Sequence, residues 1–148
     1  MFESEGPWHV RIFPLLSVML NEPARSDASR VGGRAGISVA YAPLPALDVG
    51  LELDVYFGLG VGIDVAPAVT YRFAISHSWS IAPHLALGYF QLLTGTKDPA
   101  FLLRGSADII WTISPGYSLY FTPVSFSLIA GETTAGLYEF GIGFLGAF

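Results

Sequence analysis

The chain has 148 residues, of which 52% are hydrophobic and only 13% charged, with a net charge of −5 and no cysteine. A disordered chain needs the opposite balance of charge and hydrophobicity, so disorder is excluded. The missing cysteines exclude disulfides, zinc–thiolate sites, iron–sulfur clusters and thiol nucleophiles, and the acidic balance argues against a nucleic-acid partner.

In chain order the sequence predicts eight strands. Strand one covers Trp8 to Leu20, with Trp8, Val10, Ile12, Pro14, Leu16, Val18 and Leu20 on one face. Residues 21–30 (NEPARSDASR) form a polar loop, in which Arg25, Asp27 and Arg30 are solvated. Strand two covers Val31 to Ala42, and Pro43-Leu44-Pro45 is expected to turn tightly into strand three, Leu47 to Gly58. Every odd position from 47 to 73 is apolar or aromatic. The even positions hold Asp48, Glu52, Asp54, Asp64, Arg72 and four glycines. That period of two is the strand period and excludes a helix. The same parity runs on into strand four, Gly62 to Phe73. An odd loop length is therefore required, and Leu59-Gly60-Val61 fits a three-residue hairpin loop with glycine at positive φ.

After the turn Ile75-Ser76-His77-Ser78, strand five is expected from Trp79 to Phe90, and strand six from Phe101 to Thr112 beyond the loop 94–99. Ser114-Pro115-Gly116 turns into strand seven, Tyr117 to Ile129. Here the apolar phase slips from odd (Tyr117, Leu119, Phe121) to even (Val124, Phe126, Leu128). An extra residue flips the face, so a β-bulge is expected near Thr122-Pro123. A loop over 131–136 leads to strand eight, Leu137 to Phe148. Long and short connections alternate, which gives the chain a long-loop end and a short-turn end. No linker marks a second domain.

The predicted strands carry ten charged residues: Arg11, Arg34, Asp48, Glu52, Asp54, Asp64, Arg72, Arg104, Asp108 and Glu139. All ten lie on the phase opposite the large apolar residues. A soluble sandwich or lipocalin-like barrel would turn the apolar phase inward. Composition opposes that reading, because soluble surfaces are rich in Lys and Glu and this chain has one lysine. The charged phase is otherwise rich in Gly, Ala and Ser, which suits a narrow lumen, while the large apolar phase suits lipid. Strands of about 12 residues exceed the roughly 9–11 that span the hydrocarbon at a tilt, and closure into a barrel removes edges that lipid cannot hydrogen-bond. No run of about 20 apolar residues offers a membrane helix. Trp8, Tyr41, Trp79, Trp111, Tyr117 and Phe148 fall near the short-turn end, and Phe57, Tyr89, Phe101 and Tyr138 near the other. Two aromatic girdles at headgroup level are expected from this. Leu53→Arg should therefore block membrane insertion or cost ~2–4 kcal/mol near the midplane, and Gly50→Ala, one phase over, should be milder.

On this architecture, on the turns Ile75-Ser76-His77-Ser78-Trp79-Ser80 and Ile113-Ser114-Pro115-Gly116-Tyr117-Ser118, and on a last strand ending in Phe148, the chain resembles the small eight-stranded outer-membrane barrels of the OmpA transmembrane-domain and OmpX kind. The resemblance covers nearly the whole chain. It implies an antiparallel up-and-down transmembrane β-barrel with both termini on the short-turn, periplasmic side. It also implies recognition of Phe148, with Phe144, Ile142 and Phe140 in alternation, by a barrel-assembly machinery if the chain is natural. Gly146 departs from that alternation. Met1 to Glu5 lack the features of a signal peptide, so an exported protein would be in its mature form.

The lumen phase holds four arginines and six carboxylates, which a narrow lumen tolerates only as pairs. Arg34, Arg104 and Glu139 are expected at similar heights, with Asp54 and Glu52 nearer the turns and Asp64 nearer the loops. Arg11, Arg72, Asp48 and Asp108 form a lower group. The network reads as a structural plug or a narrow, poorly conducting pore. The alternative is a gate that opens to ions or small solutes. His84 shares the phase with Asp108, Ser80 and Ser106, but no nucleophile elbow accompanies it, and a histidine bonded to a carboxylate is the plainer reading. His9 and His77 lack metal-ligand spacing. No cofactor motif and no match to a lipid-modifying or surface-binding site stands out. The expected surroundings are a bilayer or detergent, and the expected state is a monomer.

Overall fold

The computed structural model describes residues 6–20, 31–58, 60–94, 99–132 and 134–148. The loop charges Arg25, Asp27 and Arg30, the hairpin residue Leu59 and Met1 to Glu5 lie outside the described residues. Among the described residues nine strands form: β1 (Trp8–Met19), β2 (Val31–Leu44), β3 (Leu47–Phe57), β4 (Gly62–Tyr71), β5 (Phe73–Ala74), β6 (Trp79–Leu92), β7 (Pro99–Ser114), β8 (Tyr117–Ala130) and β9 (Thr134–Ala147). β4 and the two-residue β5 both pair with β6 and form one stave interrupted at Arg72. The staves are therefore eight. Each pairs antiparallel with its sequence neighbour, β1 pairs with β9, and the sheet closes on itself as an up-and-down barrel.

Alternation sets which side each residue takes. Forty large hydrophobic side chains among the described residues lie exposed on the outer wall, including Leu51, Leu53, Phe121 and Phe126. Soluble domains rarely expose apolar patches beyond a few hundred Å², so this wall is built for lipid. Trp8, Tyr41, Trp79, Trp111, Tyr117 and Phe148 all point outward. Trp8 meets Tyr41 edge-on at 5.3 Å, and Trp79 stacks on Trp111 at 6.0 Å.

β8 carries the irregularity that its phase slip requires. Thr122 and Ser125 pair with Gly141 and Glu139, so three steps on β8 match two on β9. The β7 ladder shifts at the same place, between Ala107 and Ile109. One extra residue there keeps Tyr120, Thr122, Ser125 and Ser127 all inward.

The structure corrects the sequence reading at several points. First, β2 continues through Pro43 and Leu44, and the turn is Pro45–Ala46, closed by the pair Leu44↔Leu47. Pro43 lies in the stretch between Tyr41 and Leu44 where the register shifts, and proline is tolerated at such a bulge because no ladder donor is needed. Second, the β3–β4 ladder ends at Tyr56↔Gly62, which leaves five residues in the connection instead of three. Gly58 (φ 115°) and Gly60 (φ 100°) take the left-handed backbone there, and the odd length still preserves parity. Third, the lumen is not filled by small groups and ions alone. Phe13, Leu15, Met19, Phe90, Leu102, Ile110, Ile129, Leu137 and Leu145 are buried inside it. Fourth, Gly50 has no room for a methyl group. A Cβ there would lie 2.3 Å from the Val39 carbonyl oxygen and 2.6 Å from Ala40 Cα, so Gly50→Ala forces the β2–β3 backbone to shift and costs more than its inward phase alone suggests.

Candidate functional site

The inward side chains form layers. Toward the long loops, Met19, Tyr56, Phe90, Leu102, Ile129 and Leu137 pack together. Each lies within three residues of the long-loop end of its strand. A second buried apolar group consists of Phe13, Leu15, Ala82, Ile110, Tyr120 and Leu145, most of them in the short-turn half of their strands. The charged residues lie among these groups, and all ten strand charges are at least nine-tenths buried.

The largest charged cluster surrounds two arginines. Arg104, on β7, reaches across the lumen to β3 and β4, where it meets Glu52 (2.7 Å), Asp54 (2.8 Å) and Asp64 (2.7 Å). Its Nη2 also donates to the Tyr56 hydroxyl, and its Nε donates to Ser127 Oγ at 3.1 Å. Arg34, on β2, donates to Asp54 at 2.7 Å and to Glu139 on β9 at 2.8 Å. Glu139 also accepts from Ser127 and, at 3.2 Å, from Ser17. The arginine planes lie over aromatic rings as well, Arg34 over Phe13 at 5.0 Å and Arg104 over Tyr56 at 6.0 Å. Delocalised guanidinium suits this position, because its fork of donors can serve several carboxylates at once and its face stacks on rings.

Two smaller groups lie nearer the short turns. Arg11 donates to Asp108 at 2.8 Å, and Thr122 donates to the other oxygen of Asp108 at 2.6 Å. Separately, Asp48 meets His9 at 2.7 Å and Arg72 at 3.1 Å. Height along the strands groups Arg11, Arg72, Asp48 and Asp108 together, whereas the structure divides them into these two. It brings Arg34, Arg104, Glu52, Asp54, Asp64 and Glu139 into a single cluster. The break of the fourth stave at Arg72 coincides with the side chain that serves Asp48.

His84 lies apart from Asp108. Its Nε2 faces Glu52 Oε1 at 3.1 Å and its Nδ1 lies 2.8 Å from Thr70 Oγ1. Asp108 is occupied by Arg11 and Thr122, so a Ser-His-Asp arrangement does not form. His9, noted in the sequence only for lacking ligand spacing, is a partner of Asp48. Its inward parity in β1 was the signal for that. Among the described residues no group of three or more acidic or imidazole side chains could hold a metal ion.

Between the large cluster and the Arg11–Asp108 pair, a cavity of about 20 Å³ remains, lined by Phe13, Glu52, His84, Asp108 and Tyr120 among others. A single water needs roughly 10–15 Å³ by this measure, so the space holds about one.

A closed eight-stranded antiparallel barrel with a lipid-type exterior and a polar, filled lumen defines the class: a small transmembrane β-barrel. No protein-family model and no curated protein sequence matches the chain. Solved structures do. Neisserial surface protein A superposes with a TM-score of 0.73 at 15% identity, covering 99% of this chain and 100% of that one. The N-terminal β-barrel domain of Pseudomonas aeruginosa OprF gives 0.64 at 12% identity, covering 96% and 99%. Ail, the attachment invasion locus protein of Yersinia pestis, gives 0.57 at 13% identity, covering 96% and 99%. The fold is thus that of the small eight-stranded outer-membrane barrels.

Proposed function

We propose that this chain is an integral outer-membrane barrel whose role is structural or that of a narrow, poorly conducting pore. The observation that carries this reading is the bridging of Arg104 to Glu52, Asp54 and Asp64 across the lumen, sandwiched between apolar side chains. A passing ion would have to separate these charges in a water-poor interior, and breaking such a pair is strongly unfavourable. The ten strand charges and His84 form the lumen network, and the six outward aromatic residues of the short-turn end form a headgroup girdle. The chain acts as a single domain and a monomer in lipid or detergent, without cofactor, nucleic acid or catalysis. In a bacterial cell Phe148 would serve in recognition by the assembly machinery.

The test is single-channel conductance in planar bilayers, on protein shown by circular dichroism to be folded β-sheet. The expected result is silence or rare, small openings from inserted barrels. Steady conductance would overturn the reading and make the lumen charges a selectivity filter. Conductance that changes in Arg34→Gln or Glu139→Gln would support the gated-channel reading.

A further inference from the structure

The outer wall is not uniformly covered. Most outward positions carry large side chains, but β7 presents Gly105 and β9 presents Gly136. A Cβ built on Gly105 meets nothing within 4 Å. A groove of about 390 Å³ results, lined almost wholly by apolar atoms of Leu20, Leu85, Leu103, Phe126 and Leu128 around the two glycines. The register explains its shape. Gly105 lies between Leu85 on β6 and Phe126 on β8, and Gly136 lies beside Leu128. The missing side chains stand diagonally across two rows of the wall. Tyr138, two residues from Gly136, does not fill the gap. Its hydroxyl donates to the Pro123 carbonyl at 2.6 Å, which draws the ring toward the bulge and the short-turn side.

We propose that this groove is a binding site for one acyl chain of a membrane lipid, held longer than the chains that brush the rest of the barrel. The proposal rests on the membrane-barrel reading, because the groove is continuous with the apolar wall and opens onto whatever solvates it. A lipid chain lying there exchanges contact with other mobile chains for contact with fixed leucine and phenylalanine side chains. The glycines provide the depth. Strand backbone there carries no positive φ at Gly105, so the position does not need glycine for its conformation. Depth is what glycine supplies at that place.

The experiment uses the whole chain in nanodiscs of dimyristoyl phosphatidylcholine. The protein is deuterated except at leucine methyls, and folding is first shown by circular dichroism. Nuclear Overhauser build-up from acyl methylenes is measured at Leu85, Leu103 and Leu128, and at Leu51, Leu53 and Leu119 on the remaining wall. The expected result is several-fold faster build-up at the groove, reduced to the level of the other wall in Gly105→Phe. Gly105→Ala, which adds one methyl into open space, should give an intermediate value and serves if the phenylalanine variant folds poorly. Equal build-up around the barrel would overturn the site while leaving the membrane reading intact. Cross-peaks from a second, differently labelled protein copy at the groove would overturn the lipid as occupant. Failure of the folded chain to enter nanodiscs would overturn both.

Discussion

Two of the charge groups in the lumen differ in how much depends on one residue. Around Arg104, one guanidinium serves Glu52, Asp54 and Asp64, and Arg34 shares Asp54 and takes Glu139. Nearer the short turns, Arg11 and Asp108 form a pair with Thr122 as helper. In the pair, the opposite charges balance one to one. In the cluster, four carboxylates face two arginines, so the loss of either arginine leaves several buried anions together. Buried ion pairs add little net stability compared with apolar packing, but unpaired buried ions are severely penalised. The cluster should therefore be indispensable and the pair replaceable.

The largest effect is expected at Arg104. Arg104→Met should lose at least the ~3–5 kcal/mol typical of breaking a buried pair, read as a lower urea midpoint in phosphatidylcholine vesicles. A loss under ~1 kcal/mol would show that the carboxylates do not depend on it. Next comes the wall itself. Leu53→Arg places a charge in lipid and should cost ~2–4 kcal/mol at mid-depth, with reduced insertion measured by heat-dependent mobility on a detergent gel. Arg11→Met alone strands Asp108, and its loss of ~3 kcal/mol should fall below that of Arg104→Met. The smallest effect sharpens the contrast most. The double change Arg11→Met with Asp108→Leu should recover to within ~1 kcal/mol of the parent, since it removes both charges and leaves apolar neighbours such as Tyr120 in place. If the double variant stays as unstable as the single one, the pair has a role beyond mutual neutralisation.

Much of this barrel can be read from alternation. The odd-phase run from Leu47 to Phe73 dictates one apolar face, and the parity switch between Phe121 and Val124 marks the bulge at Pro123. Both are local signals, carried by neighbours in the chain. The partners of each charge are not local. Arg104 finds Glu52 and Asp54 on the far side of the lumen, a relation set by strand tilt and stagger that no single strand encodes. Height along a strand placed Asp64 with the upper charges, yet the same measure merged Arg72 with Arg11, which the structure separates. The buried Leu15, Leu102 and Ile110 were hard to find for a different reason. A leucine on the charged phase of a strand carries no mark that distinguishes a lumen filler from an exception to the pattern. The crowding of Gly50 against Val39 and Ala40 is invisible to alternation because it depends on how closely two strands approach.

Closure of the ring by β1 and β9 also bears on the order of events in folding. His9 pairs with Ala147 and Leu16 with Phe140, residues at opposite ends of the chain. The hairpins β2–β3, β6–β7 and β7–β8 can zip with short loop closures, but the first and last strands must wait until the sheet has curled. Arg34 and Ser17 reach Glu139 only across that seam or beyond it. Contacts formed after the main barrier leave the folding rate nearly untouched and slow unfolding instead. Through Arg34 and Ser17, Glu139 thus acts as a latch on the closed ring: if the seam forms after the main barrier, Glu139→Gln unfolds faster in urea with little change in folding rate, and if closure is itself the barrier, folding slows instead.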